Sequence, residues 1–322
     1  MGQQRADAFA AISGNDFNIK RGERTAPFIE KLQNRSQIIT EQWMQQLFIG
    51  LILAFILSFL AYSIQALTPG GAAAAVLLGT LIFGFGGLEW SILLLVFFIS
   101  SSILSRVAKS RKASLEEKFS KSARRDARQV LANGGLAGVF VALHWFFPAA
   151  TWPWLAAAAA LAAANADTWA TELGVLGPNS PRLITTGKLV ERGSSGGVSL
   201  VGLLAALGGA MLEATAFVIV WPGAALLSGT ITPHALSMAA AWFLLVTLAG
   251  LAGSLVDSLL GATLQAIYYC PVCQKETERY PIHSCGTATS LVRGLRWLNN
   301  DWVNAACTLS GGLIALIIYF VI

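Results

Sequence analysis

Charge is what this chain has least of. Lys, Arg, Asp and Glu make up only 12% of its 322 residues, about half the share found in soluble domains, so a water-facing globular surface cannot be assembled from it. Histidine is limited to three residues and cysteine to four, and three of the four cysteines are bunched between Cys270 and Cys285. That crowding is unlike a secreted disulfide framework. Residues 1–45 have no apolar core, which excludes a signal peptide or a spanning helix there; they read as a polar N-terminal tail. Soluble enzyme, disordered chain and fibrous protein are all excluded by the composition.

What fills the chain instead is apolar: 55% hydrophobic residues and a mean hydropathy of +0.62. Runs near the length of about 20 residues that crosses a bilayer occur at Leu47 to Leu67, Leu131 to Phe147, Trp152 to Leu173, Val198 to Trp221, Ala235 to Ala266 and Val303 to Ile322. Ala72 to Phe85 and Leu88 to Leu104 are shorter, and the Gly86-Gly87 break between them fits two helices or a re-entrant pair. The expectation is an all-α fold, a polytopic transmembrane helical bundle with about eight hydrophobic segments. Residues 46–322 would form a transmembrane catalytic domain, with a Cys/His loop at 267–302. Ala235 to Ala266 is too long for one span, so its second half is expected to leave the bilayer core or to break near Gly250 and Gly253.

The few charges are placed unevenly. Ser105 to Gln129 carries nine Lys or Arg, Gly174 to Gly197 three and Ile267 to Trp302 four, while Pro148 to Thr151 and Pro222 to His234 carry none. Pairs of spans separate the basic segments, so all three fall on one face, cytoplasmic by the positive-inside rule. Trp145, Trp152, Trp154 and Trp221 mark the other face, where His144 and His234 read as structural. The side of the N-terminus depends on the Gly86 pair. The net charge of +5 and pI near 9.2 need only this topology and attraction to anionic membrane lipid; nucleic acid is not expected as a partner.

Ionisable residues inside apolar runs are functional candidates by default. Asp167 and Glu172 end the Ala-rich run, but five residues on a helix is about 140° of rotation, so both serve one site only if the helix loosens toward Gly174. A headgroup-wetted helix end is the bland alternative. Gly250, Ser254, Asp257, Gly261 and Gln265 form one small, polar stripe, which close packing explains except for its aspartate. Asn300, Asp301 and Asn304 cluster at the start of the last helix, where Asp301 is a cap or a ligand. Between these lie Arg182, Lys188 and Arg192, then Gly193, Ser194, Ser195, Gly196, Gly197 and Ser199. A Gly/Ser turn entering a helix offers backbone N–H groups to phosphate, although a flexible loop has the same composition. No Walker A lysine closes it. Arg125, Arg128, Gln129 and Asn133 fall on one side of the helix entering Gly134-Gly135 and can reach the same pocket. Cys270, Cys273, His283 and Cys285 offer four zinc-type ligands, sufficient for a closed structural site; ordinary reduced thiols are the alternative.

The blocks Asn165 to Gly174, Pro181 to Thr185, Gly193 to Ser199, Gly253 to Gln265 and Asn300 to Asn304, with Arg125-Asp126 to Gly135, resemble in joint order the membrane family that contains transmembrane protein 19 and plant phytyl-phosphate kinase. The resemblance runs from about Ala72 to the C-terminus; the Cys270 to Cys285 insert departs from it. It implies a nucleotide-dependent kinase converting an isoprenyl monophosphate, such as phytyl or geranylgeranyl phosphate, to the diphosphate, in tocopherol or prenyl-lipid salvage. A looser likeness to phytol kinase, dolichol kinase and phosphatidate cytidylyltransferase favours CTP as the nucleoside triphosphate. In this reading Asp167, Asp257 and Asp301 hold Mg²⁺ with Glu172 in support, and Arg182, Lys188, Arg192 and the Gly193 to Ser199 turn hold phosphates together with Arg125, Arg128, Asn133 and Asn165. The protein would be an integral membrane protein, of the cell membrane if bacterial, with its active face cytoplasmic. A membrane cytidylyltransferase on a lipid phosphate and a transporter using intramembrane carboxylates are the competing functions, and a structural scaffold is the third reading.

Overall fold

A computed structural model describes the backbone of residues 26–112, 124–221 and 232–321, with side chains from residue 41 onward and, in the third helix, as far as 107. Eight α-helices occupy these residues: α1 Ala26–Ser63, α2 Pro69–Gly86, α3 Leu88–Lys112, α4 Ala127–Phe146, α5 Trp152–Gly174, α6 Leu200–Val220, α7 Pro233–Thr263 and α8 Asn300–Val321. Seven are long and apolar enough to cross a bilayer. The other is α5, 23 residues long, whose run Pro153 to Ala166 is buried throughout. It packs against α3, α4, α6, α7 and α8, so it has no lipid to face and no need of bulky apolar side chains.

Alanine in α5 and glycine on its neighbours let the backbones touch, the usual means of association where lipid removes the hydrophobic drive between helices. A Cβ added at Gly250 of α7 would lie 2.7 Å from the Ala162 Cβ, and one at Gly311 of α8 would lie 2.7 Å from the Ala159 carbonyl oxygen. These glycines mark contacts, and α7 runs through Gly250 and Gly253 unbroken for 31 residues, about 46 Å. The expected break is therefore absent, and the end of α7 that carries Asp257 projects toward one face of the bundle.

The pair around Gly86 is two antiparallel helices, turned at Gly87 with φ 83°. Thr68 N–H donates to the Arg125 carbonyl and Arg125 N–H to the Ala66 carbonyl, tying the α1–α2 turn to the start of α4. The C-terminal ends of α1, α3, α5 and α7 and the N-terminal ends of α2, α4, α6 and α8 thus share one face. The described parts of the three basic segments lie on that face, residues 113–123 of the first lying outside the described residues, and α1 begins on the other. Helix α1 starts at Ala26, inside the expected tail; residues 1–25 of that tail lie outside the described residues. Aromatic packing closes the far face, with Trp43 against Phe85 and Trp145, and Trp90 against His144 and Trp154.

Two small antiparallel sheets replace what reads in sequence as loop: β1 Arg182–Leu183 with β2 Gly197–Val198, and β3 Ile267–Cys270 flanked by β4 Lys275–Thr277 and β5 Ser290–Arg293. Both sit on the charged face.

Candidate active site

A polar pocket of about 360 Å³ opens where the helix ends converge on the charged face. Helix α5 contributes Asp167 and Glu172, and α7 contributes Ser254 and Asp257. The side chains of Asp167 and Asp257 lie close enough to interact directly, and Asp257 Oδ2 is buried with no partner among the described residues. Two carboxylates this close repel one another unless a proton or a cation lies between them. With the Asn300 and Asn304 amides also on the wall, the donor set is all oxygen and amide, which fits a hard divalent cation.

Glu172 reaches the same pocket from another side of α5. Its Oε1 accepts from Ser105 Oγ of α3 at 2.9 Å, and it lies within electrostatic reach of Arg125. The helix stays regular to Gly174. No loosening is needed, because α5 is central and the pocket wraps around its end.

Arg125 is held at the mouth of α4, its guanidinium 5.2 and 5.5 Å from the Phe97 and Phe98 ring centres. Asp126 caps α4 in a box with Gln129, and steps of four then put Arg125, Gln129 and Asn133 on the pocket. Across from them runs the Gly/Ser loop. Ser199 caps α6 by accepting from Gly202 N–H. Gly193 and Gly196, with φ of 78° and 80°, make the preceding turn, and a Cβ at Gly196 would fall 2.4 Å from the Ala262 backbone nitrogen. Only glycine fits that approach of loop to helix end.

The remaining wall comes from the Cys/His insert. Glu278 Oε1 accepts from Ser195 Oγ at 3.0 Å and from Gln265 Nε2 at 2.8 Å, and Arg279 lines the pocket. Arg293 donates to the Gly261 and Ala262 carbonyls at the end of α7 and to the Ser195 carbonyl, a cation where the helix dipole favours one. Sequence reading missed Ser105, Glu278, Arg279 and Arg293. Their link to the site is purely tertiary, and the only signal was that the insert leaves the carboxylate stripe at Gln265.

The structure thus gathers Asp167, Glu172, Asp257, Arg125, Asn133, Arg192, Gly193, Ser194, Ser195, Gly196, Gly197 and Ser199. It leaves out five residues expected there. Arg182 and Lys188 are exposed on the β1 turn, where Arg182 donates to the Gly187 carbonyl at 2.9 Å. Arg128 is exposed, one helical step off the Arg125, Gln129 and Asn133 row. Asn165 is fully buried: Oδ1 accepts from Ser100 and Ser101 and Nδ2 donates to the Gly209 carbonyl, so it pins α3, α5 and α6 together away from the pocket wall. Asp301 is buried in the first turn of α8 off the pocket wall, while Asn299 accepts from its N–H and that of Trp302; Asn299, and not Asp301, caps the helix.

A second, apolar cavity of about 100 Å³ lies among α1, α2, α3 and α4, lined by Ala54, Ala61, Ala75, Gly79, Leu94 and Phe98 among others. It shares Arg125, Gln129 and Asn133 with the polar pocket.

The ligand atoms of Cys270, Cys273, His283 and Cys285 all lie within 4.8 Å of one another. Hydrogen bonds with Thr287 and His283 pull the Cys285 thiol down to about 6, and contact with Cys285 pushes the Cys273 thiol up to about 11. Sulfurs this close do not all ionise together.

Among curated proteins, the chain is 34% identical to Protein PGR of Arabidopsis thaliana over 80% of its own length and 91% of the relative's. It is 29% identical to the uncharacterized membrane protein MJ0933 of Methanocaldococcus jannaschii, over 88% and 98% of the two chains. Protein VTE6, chloroplastic, of Arabidopsis thaliana is 26% identical over 79% of this chain and 66% of that one. No solved structure matches. Residues 52–312 match the family described as Integral membrane protein DUF92, and the chain belongs to that family, the one that its motifs resemble and that includes transmembrane protein 19 and plant phytyl-phosphate kinase.

Proposed function

We propose that the protein is a nucleotide-dependent kinase that converts an isoprenyl monophosphate to the diphosphate, with CTP as donor, on the cytoplasmic face of its membrane. The observation that carries this reading is the junction of a polar pocket, at the membrane-water boundary, with an apolar cavity through Arg125, Gln129 and Asn133. A molecule with an anionic head and a hydrocarbon tail has this division. The likeness to the phytyl-phosphate kinase family supports the reaction type, and the basic segments support a cytoplasmic face.

An isoprenyl monophosphate is already anionic, so it needs no general base. An acceptor phosphate oxygen attacks the γ-phosphorus, the bond from that phosphorus to the β-γ bridging oxygen breaks, and nucleoside diphosphate leaves. The obstacle is charge repulsion between acceptor and triphosphate. Arg125, Arg192, Arg279 and the loop amides around Ser195 oppose it by placing positive charge and N–H donors around the meeting phosphates. Asp167 and Asp257 would hold Mg²⁺, which when bound neutralises phosphate oxygens.

The test is direct: purified protein, Mg²⁺, each nucleoside triphosphate in turn, and phytyl or geranylgeranyl monophosphate, with products resolved by mass. Prenyl diphosphate and nucleoside diphosphate are expected. Pyrophosphate with a nucleotidyl lipid would establish a cytidylyltransferase instead, and nucleotide-independent movement of substrate across sealed vesicles, with no phosphorylated product, would establish a transporter.

A further inference from the structure

We propose that Cys270, Cys273, His283 and Cys285 bind one Zn²⁺ ion, and that this ion fixes the insert against the Gly/Ser loop of the pocket. The geometry is close to that of a filled site. A tetrahedral zinc with bonds of about 2.3 Å to sulfur and about 2.0–2.1 Å to nitrogen has S···S edges of about 3.8 Å and N···S edges of about 3.6 Å. Cys270 Sγ lies 3.5 Å from Cys285 Sγ, and His283 Nδ1 lies 3.2 Å from Cys285 Sγ. The four ligands come as two pairs, and each pair is followed at once by a residue in the left-handed region: Gln274 at φ 51° after Cys273, and Gly286 at φ 83° after Cys285. A left-handed glutamine is uncommon, and here it turns the chain back so that Lys275 pairs with Cys270 and Cys273 is kept in the tight turn between them.

The chemistry selects the metal. Three thiols and one imidazole are a soft set that suits zinc and not magnesium or calcium. Four protein ligands complete a tetrahedron and leave no open position, so the ion is structural. Its binding displaces the thiol protons to solvent.

The cluster also stands where it can act on the pocket. Cys270 ends β3 and pairs with Lys275, and Tyr268 pairs with Thr277, so the Cys270 to Cys273 turn sets the register of the hairpin. The next residue is Glu278, bonded to Ser195 and Gln265. His283 and Cys285 lie on the return toward β5, whose Arg293 holds the Ser195 carbonyl. One ion therefore joins the two arms that grip Ser195.

The experiment uses the full chain in detergent, purified without chelator. Elemental analysis is expected to give about one zinc per chain, lost in Cys273→Ser and kept in Cys307→Ser. Replacement by Co²⁺ is expected to give the charge-transfer and ligand-field absorption of a tetrahedral thiolate site. Stripping the metal is expected to speed amide hydrogen exchange in residues 193–197 by about tenfold or more, a local opening, while residues 156–164 are unaffected. Folded wild-type protein free of metal, or with Cys270 and Cys285 joined as a disulfide, would overturn the site. A zinc-loaded protein whose exchange at 193–197 ignores metal removal would overturn the positioning role. Neither readout depends on turnover, so both stand apart from the kinase reading.

Discussion

Asp167 and Asp257 face each other from different helices, and two carboxylates brought together call for a proton or a cation between them. Asn at either position keeps the shape and removes one negative charge from the place where a divalent cation would be held. Asp257→Asn and Asp167→Asn are each expected to lower kcat by about 10²-fold or more, the scale of losing one preorganised electrostatic group, with little change in thermal unfolding. Steady-state rates beside melting curves check this, and wild-type turnover in either variant removes that residue from the mechanism. These carboxylates were legible in sequence because charge in an apolar run is costly. The phosphate cations were less so, because residue type does not reveal on which side of a turn a side chain emerges. Lys188 and Arg182 sit beside the loop in sequence and outside the pocket in space; Arg192 lines it. Arg192→Ala is therefore expected to raise the nucleotide KM about tenfold or more, within the range for a charged hydrogen bond, and Lys188→Ala to leave it within about twofold. Equal effects of the two substitutions would move the phosphate site onto the β1 turn.

At the scale of elements, the eight segments could be read from hydropathy alone, yet the sequence concealed why one differs. Helix α5 is alanine-rich because five helices surround it, and the glycines of α7 and α8 are the other half of that contact. In sequence, Gly250 and Gly253 looked like breakers because glycine weakens an isolated helix; in the bundle, backbone contact outweighs that cost. The same substitution should thus have opposite effects at two helical glycines. A Cβ at Gly311 meets the Ala159 carbonyl oxygen at 2.7 Å, whereas at Gly135 of α4 the nearest atom is the Leu131 Cβ at 3.9 Å. Gly311→Ala is expected to destabilise by about 1–3 kcal/mol, as overpacking does. Gly135→Ala is expected to be neutral or to stabilise by up to about 1 kcal/mol from helix propensity. Thermal melts of both variants in one detergent decide it, and a stable Gly311→Ala would mean that α5 and α8 separate easily.

Over the whole molecule, the helix ends and the insert build a polar chamber on one face, and the peripheral helices α1 and α2 close an apolar cavity beside it. Sequence could not show this cavity, since its walls are alanines, glycines and leucines that look alike wherever they face. Small residues at Ala54, Ala61, Ala75 and Gly79 leave the space, and Arg125, Gln129 and Asn133 form the boundary with the polar chamber. If the hydrocarbon tail enters there while its phosphate stays with Arg125, bulk added on α2 should shorten the chain that fits. Ala75→Leu adds three carbons to the wall. Its KM for geranylgeranyl monophosphate is expected to rise about tenfold, the cost of about two displaced methylenes at ~0.8 kcal/mol each. The KM for geranyl monophosphate should change less and that for nucleotide not at all. The ratio of the two lipid KM values carries the argument, because a general loss of folding or of phosphate binding would move both chain lengths together. An unchanged ratio would place the tail outside this cavity, against the lipid-facing surface of the bundle.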